Sequence, residues 1–195
     1  NLTSSDGEKW KYTHPYPSYL NHPVAAVVWG KDKYVAVGGE TSADEAHGVV
    51  VTSSNATEWT PVNKEFPMLS SIAWGNNQFV AVGQVNGYDN PIAVVFNSAD
   101  GINWTNQTIS EPKSLYLHKI IWANNQFLVV GENGSYHGVF LTSKDGTTWT
   151  APKQIANNAL VNVVWVDNQY VAVGRNGVIL TSADGNSWTA QASGT

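Results

Sequence analysis

The chain has no cysteine, one methionine and a single arginine, Arg175, in 195 residues. Without cysteine no disulfide braces the fold, and the redox compartment is left open. Charged residues make up only 13% and the net charge is −5. That balance argues against a nucleic-acid partner, whose readers present a basic face, and equally against an anionic membrane surface. No apolar run approaches the ~18–20 residues of a spanning helix, so membrane insertion is not expected. Gly-x-Ser-x-Gly elbows, phosphate loops and zinc-protease helices are missing too. The first residue is Asn1 rather than Met, which fits a removed leader or an excised piece.

What is present is aromatic and polar. Nine Trp and eight Tyr carry much of the apolar surface. Sequons begin at Asn1, Asn55, Asn103, Asn106 and Asn133, although a chain this rich in Asn, Ser and Thr produces them by chance. A polar, Lys-poor, Cys-free composition suggests a secreted or cell-surface bacterial protein.

Five segments repeat Ser-x-Asp-Gly-x-x-Trp or a close variant: Ser4 to Trp10, Ser53 to Trp59, Ser98 to Trp104, Ser143 to Trp149 and Ser182 to Trp188. Asp-Gly between strands is a tight-hairpin signal, because the turn needs positive φ at its central residues. The Ser and Asp side chains tie down neighbouring backbone N–H groups. The closing Trp buries ~150–250 Å². Asp6, Trp10, Asp100, Trp104, Asp145, Trp149, Asp184 and Trp188 are therefore read as hairpin fasteners, as are Asn55 and Trp59. The second copy has Asn55-Ala56 where the others have Asp-Gly, and Ala resists the left-handed region, so distortion of that turn is expected.

A second element precedes four of the boxes: Trp29-Gly30…Tyr34-Val35-Ala36-Val37-Gly38, with counterparts starting at Trp74, Trp122 and Trp165. Short β-branched runs separated by turn residues read as strand–turn–strand, and their near-continuous apolarity predicts cover on both faces. A third run precedes each box and a fourth follows its Trp. Four strands per unit, with the anchor Trp residues 45, 48 and 43 positions apart, predict an all-β propeller of four-stranded antiparallel blades.

These boxes resemble Asp-box (BNR, sialidase-like) repeats, in a form one residue shorter between Asp and Trp than the common pattern. The full Trp…Val-Ala-Val-Gly…Ser-x-Asp-Gly-x-x-Trp unit is similar to repeats of secreted bacterial propellers and of photosystem II assembly-factor-like proteins. The resemblance implies that the box is a structural hairpin on the blade rim, away from any active site.

One domain over residues 1–195 is expected, with a lone hairpin at 1–12 and blades at about 20–60, 66–106, 115–150 and 160–190. The count is awkward, because the first box has no inner strands of its own. A five-bladed-like ring, an arc of a larger propeller, or association of incomplete rings would each resolve it, since an open edge invites pairing.

Function on a repeated scaffold is grafted onto its unequal loops. From the second-strand Gly to the box Ser the chain runs 15, 15, 12 and 8 positions in successive blades. These segments carry Glu40, Asp44, Glu45 and His47; Tyr88, Asp89 and Asn90; Glu132, Tyr136 and His137; and Arg175 with Asn176. Tyr16, Tyr19, His22, Tyr116 and His118 flank first strands. Glu40, Asp44, His47, Tyr88, Asp89, Asn90, Tyr136, His137 and Arg175 are the candidate ligand-binding residues. An aromatic and carboxylate rim suits a glycan or a protein partner. His47, His137 and Asp44 have no metal-ligand spacing, and neither metal nor cofactor is implied.

Sialidases hold their substrate carboxylate with an arginine cluster, which one arginine does not provide. A hydrolase with two carboxylates ~5–10 Å apart needs a pair such as Glu40, Asp44, Asp89 or Glu132, and no motif pairs them. The expected function is a non-catalytic extracellular binding module. A carboxylate-pair hydrolase and a purely structural assembly scaffold are the alternatives.

Overall fold

The structure is a computed structural model that describes residues 2–4, 6–12, 23–41, 46–85, 91–111 and 113–194. Strands β1 (Leu2–Thr3) and β2 (Lys11–Tyr12) pair as an isolated hairpin. Four antiparallel four-stranded sheets follow. Blade 1 holds β3 (Val24–Gly30), β4 (Lys33–Thr41), β5 (Ala46–Ser53) and β6 (Thr60–Pro61). Blade 2 holds β7 (Met68–Gly75), β8 (Gln78–Val85), β9 (Ile92–Ser98) and β10 (Thr105–Gln107). Blade 3 holds β11 (Leu115–Ala123), β12 (Gln126–Asn133), β13 (Gly138–Ser143) and β14 (Lys153–Ala156). Blade 4 holds β15 (Leu160–Val166), β16 (Gln169–Gly174), β17 (Ile179–Ser182) and β18 (Thr189–Ala190). Within each sheet every strand pairs with its neighbours in sequence, as in the blades of a propeller.

The turn chemistry explains the first hairpin of each blade. Lys31-Asp32, Asn76-Asn77, Asn124-Asn125 and Asp167-Asn168 all hold positive φ at both positions, the signature of the type I′ turn that matches strand twist. Each turn sets its Trp opposite the aromatic five residues on: Trp29 faces Tyr34, Trp74 Phe79, Trp122 Phe127 and Trp165 Tyr170. Ring centroids in these pairs lie 4.4–4.6 Å apart.

The core lies between blades. One cluster joins blades 1 and 2 through Val35, Leu69, Phe79 and Phe96; a second joins blades 2 and 3; a third joins blades 3 and 4 around Leu128, Phe140, Leu160 and Tyr170. Two devices recur at these junctions. Trp74 lies on Gly30, where a Cβ would come within 2.2 Å of the indole, and Trp122 lies on Gly75, where the distance would be 2.1 Å. The first turns of blades 1 to 3 also reach forward to the box of the following blade: Lys31 Nζ donates to Ala99 O at 2.9 Å, and the amides of Asn76 and Asn124 donate to Lys144 O and Ala183 O, both at 3.4 Å. Gln78 and Gln126 add donors to Asp145 O and Asp184 O.

The boxes act as fasteners. Asp100 Oδ1 accepts from the N–H groups of Ile102 and Asn103, both at 2.8 Å, while Ser98 Oγ accepts from Gly101 N at 2.8 Å. The Trp104 indole then donates to Gly101 O at 3.0 Å. The second box corrects an expectation. Ala56 takes φ +60°, and Asn55 Oδ1 still accepts from Thr57 and Glu58 at 3.0 and 2.9 Å, so the turn is intact. It lacks only the bond from residue 56 to the box serine, because Asn supplies the same acceptor oxygen as Asp.

Cover on both faces holds for the first strands of blades 2 and 3 and fails for those of blades 1 and 4. On β3, Val27 and Trp29 stand out to solvent, and on β15 Val161, Val164 and Val166 do the same. The reason is packing: β7 packs on β3 and β4, β11 on β7 and β8, β15 on β11 and β12, and the described strands form no packed interface between blade 4 and blade 1. No described strand of a blade packs on the N-terminal hairpin: a Cβ at Gly7 would meet open space, and Trp10 is exposed.

Candidate functional site

The residue after the second-strand glycine occupies the same place in every blade, and it is Gly39, Gln84, Glu132 and Arg175 in turn. Blade packing brings the last two together. Glu132, near the end of β12, is buried, and its Oε1 lies 3.3 Å from His118 Nε2 and 4.0 Å from an Arg175 Nη. Its other oxygen, Oε2, is buried with no hydrogen-bond partner. Arg175 projects from the single turn Arg175–Gly177 and is itself largely exposed, whereas the Glu132 side chain beside it is buried.

His118 owes its position to a bulge. The register of the first strand slips in all four blades, between Val24 and Ala26, Leu69 and Ser71, Leu117 and Lys119, and Leu160 and Asn162. A bulge re-aims one side chain. In blade 2 it turns Ser70 Oγ onto Leu117 O of blade 3. In blade 3 the bulged residue is His118, turned to Glu132 and lying nearly parallel to Tyr116, with an interplanar angle of 8° and centroids 6.4 Å apart. A buried carboxylate between two cationic or donor side chains, with one oxygen unused, is suited to accept an N–H or O–H from a bound partner.

The other sequence candidates are distributed differently. Asp44, Tyr88, Asp89 and Asn90 lie outside the described residues, as do Glu45, Tyr16, Tyr19 and His22. Glu40 and His47 are cross-strand neighbours in blade 1, on exposed positions, and the structure does not join them to Glu132. Tyr136 is exposed, held at φ +61° in a turn in which Asn133 Oδ1 accepts from Ser135 N at 3.0 Å and His137 N at 3.1 Å. No described contact links Tyr136 or His137 to the Glu132 group. Of the candidate residues that are described, Arg175 alone joins it. His118 and Glu132 read in sequence as loop-flanking residues, and both prove to lie within strands. Aligning the repeats at the residue after Gly131 and at the bulge would have singled them out.

Two open clefts flank this end of the blades. One, of about 510 Å³, includes Ser114, Asn133 and Gly134; the other, of about 500 Å³, includes Asn158, Asn176 and Gly177. Asn176 donates to Asn158 Oδ1 at 2.8 Å across the second. Among the described residues no group of three or more His, Cys, Asp or Glu side chains is placed to hold a metal ion. No helix among them is long and apolar enough to cross a membrane.

Residues 99–195 match the model of the DUF6242 beta propeller domain. No curated protein matches the chain in sequence. Among solved structures the chain is similar to YCF48 from Cyanidioschyzon merolae, with TM-score 0.61 at 17% identity over 90% of this chain and 58% of that one. YCF48 bound to D1 peptide gives TM-score 0.60 at 15% identity, over 97% and 60% of the two chains. The chain thus spans about three fifths of the length of these structures. Zg3597, a family 117 glycoside hydrolase of Zobellia galactanivorans, gives 0.62 at 8% identity over 94% and 74%. A Trypanosoma rangeli sialidase gives 0.60 at 14% identity over 93% and 38%. At these identities the likeness is one of fold: a β-propeller with sialidase-like repeats, an architecture that these enzymes share with YCF48.

Proposed function

We propose that this β-propeller is a non-catalytic binding module, secreted or on the cell surface, that engages a protein partner at the junction of blades 3 and 4. The observation that carries the reading is the buried Glu132 with its unused Oε2, beside His118 and Arg175. A buried acceptor without a partner costs free energy until a donor arrives, so the site gains more from a peptide N–H or a protonated amine than an exposed carboxylate would. The parallel Tyr116–His118 pair offers an aromatic edge beside it. That the YCF48 propeller has been seen bound to D1 peptide supports a peptide as the class of ligand. A single arginine speaks against carboxylate-clamping sialidase chemistry.

Peptide-array screening followed by calorimetry on wild type and Glu132→Gln tests this. Loss of a charge-assisted bond of about 2 kcal/mol weakens peptide binding roughly thirtyfold while the fold persists. Unchanged binding in Glu132→Gln removes the site from consideration. Ligands found only on a glycan array would replace the protein partner with a sugar. Turnover of chromogenic glycosides that vanishes in the variant would make the protein an enzyme.

A further inference from the structure

Among the described residues, six of the nine exposed large hydrophobic side chains lie on two faces: Val27 and Trp29 on blade 1, and Val161, Val164, Val166 and Val173 on blade 4. These are the two halves of the blade–blade junction that the chain builds three times internally. The halves also match each other in detail.

At the junction of blades 3 and 4, Tyr170 donates its hydroxyl to Ala123 O at 2.7 Å and accepts from Gln126 Nε2 at 3.1 Å. Where the preceding blade has glycine at the place of Ala123, as at Gly30 and Gly75, the aromatic is phenylalanine, Phe79 and Phe127. Tyrosine thus accompanies a preceding residue that carries a Cβ. Blade 4 ends its first strand in Val166, followed by Gln169 at the place of Gln126. Blade 1 carries Tyr34 at the place of Tyr170. Among the described residues neither the Tyr34 hydroxyl nor the Gln169 amide makes a hydrogen bond, whereas both of their counterparts do. Blade 1 is also already arranged for docking: Trp29 and Tyr34 meet at 4.5 Å and 61°, beside 4.5 Å and 66° for Trp165 and Tyr170.

We propose that blade 1 of a second copy docks head to tail on blade 4, with Tyr34 of one copy reaching Val166 O and Gln169 of the other. The surface involved is a continuation of an interface the chain already uses three times. Two copies related by a twofold axis satisfy both faces, the closure that a heterologous contact needs to avoid open filaments. The contact is weaker than the internal junctions for two reasons. Val166 is bulkier than the Gly30, Gly75 or Ala123 seat of the neighbouring Trp. Asp167 replaces Lys31, Asn76 and Asn124, so the carboxylate provides no donor to the neighbouring box. Reversible, concentration-dependent dimers are the consequence.

Sedimentation equilibrium of the whole chain, over roughly micromolar to hundreds of micromolar, reads the mass. The expected result is a rise from 21.1 kDa towards twice that value. Val164→Asp and Val27→Asp each place a charge on an exposed position of one face, so each alone stays monomeric while circular dichroism is unchanged. Mixed together they dimerise, because one intact pair of faces remains. Tyr34→Phe keeps the side chain that blades 2 and 3 already use, and it weakens association about two- to tenfold; Gln169→Leu does the same and adds nothing to Tyr34→Phe. A mass of 21.1 kDa throughout overturns the proposal. So does a dimer that survives Val164→Asp, or a mixture of the two charged variants that fails to associate where wild type does.

Discussion

Asp100 is the clearest place to ask whether the box holds the blade together or merely decorates it. Its Oδ1 accepts from Ile102 N and Asn103 N at 2.8 Å and from Ser98 Oγ at 3.0 Å, and its Oδ2 accepts from Asn103 Nδ2 at 2.8 Å. In Asp100→Ala the two backbone N–H groups are near the surface and regain water, so each is worth about 0.5–1 kcal/mol. Ser98 is buried, and its hydroxyl is left without an acceptor, which adds about 1–2 kcal/mol. The expected loss is therefore about 2–4 kcal/mol, read from urea unfolding followed by tryptophan fluorescence. Asp100→Asn is the control, because Asn55 already performs the same bonds in the second box at 2.9–3.1 Å. It should cost under about 1 kcal/mol. If Asn costs as much as Ala, charge rather than acceptor geometry secures the turn. If Ala costs less than Asn, or less than about 1 kcal/mol, the fastening role is refuted.

Three further outcomes follow from the same geometry. Backbone N–H groups, chiefly those of Asn103, Thr148 and Ser187, hold the carboxyls of Asp100 and Asp145 far below the usual carboxylate range and that of Asp184 at about 2. Each folded carboxylate gives up its proton more readily than the unfolded one, so its contribution is full above about pH 4 and fades as pH falls towards 2. The triple variant with Asn at these positions should show a flatter acid limb in stability against pH, and an unchanged limb would refute the assignment. Ala56→Gly relieves a left-handed alanine and should raise stability by about 0.5–1 kcal/mol in the same urea assay. Trp104 donates its indole N–H to Gly101 O, whereas the Trp188 N–H is buried without a partner; Trp104→Phe should cost about 1–2 kcal/mol more than Trp188→Phe, and equal losses would count against that difference.

The propeller was legible because its information is local. A type I′ turn at Asn76-Asn77 and a Ser-Asp-Gly fastener at Ser98 are settled by residues within four positions of one another; the turn recurs in all four blades and the fastener in blades 2 to 4, with an Asn-Ala form in blade 1. The sequence reading erred where a neighbouring blade decides the outcome. The runs beginning at Val24 and Leu160 look as apolar as that at Met68, yet each is solvated on one face because a described blade packs on its other face only. Glu132 looked like one loop carboxylate among several. It became a buried group because blade 4 sets Arg175 beside it, and because a one-residue register slip turns His118 towards it.

The repeat, the hairpins and the identity of the blades can be read from the residues in order, since turn geometry and side-chain-to-backbone bonds act over a few positions. Which carboxylate is buried, and, among the described residues, which oxygen lacks a partner and which sheet faces stay open, depends on how the blades pack. Those properties belong to pairs of blades whose contacting residues are a full repeat apart in the chain, and no short-range rule carries information over that distance.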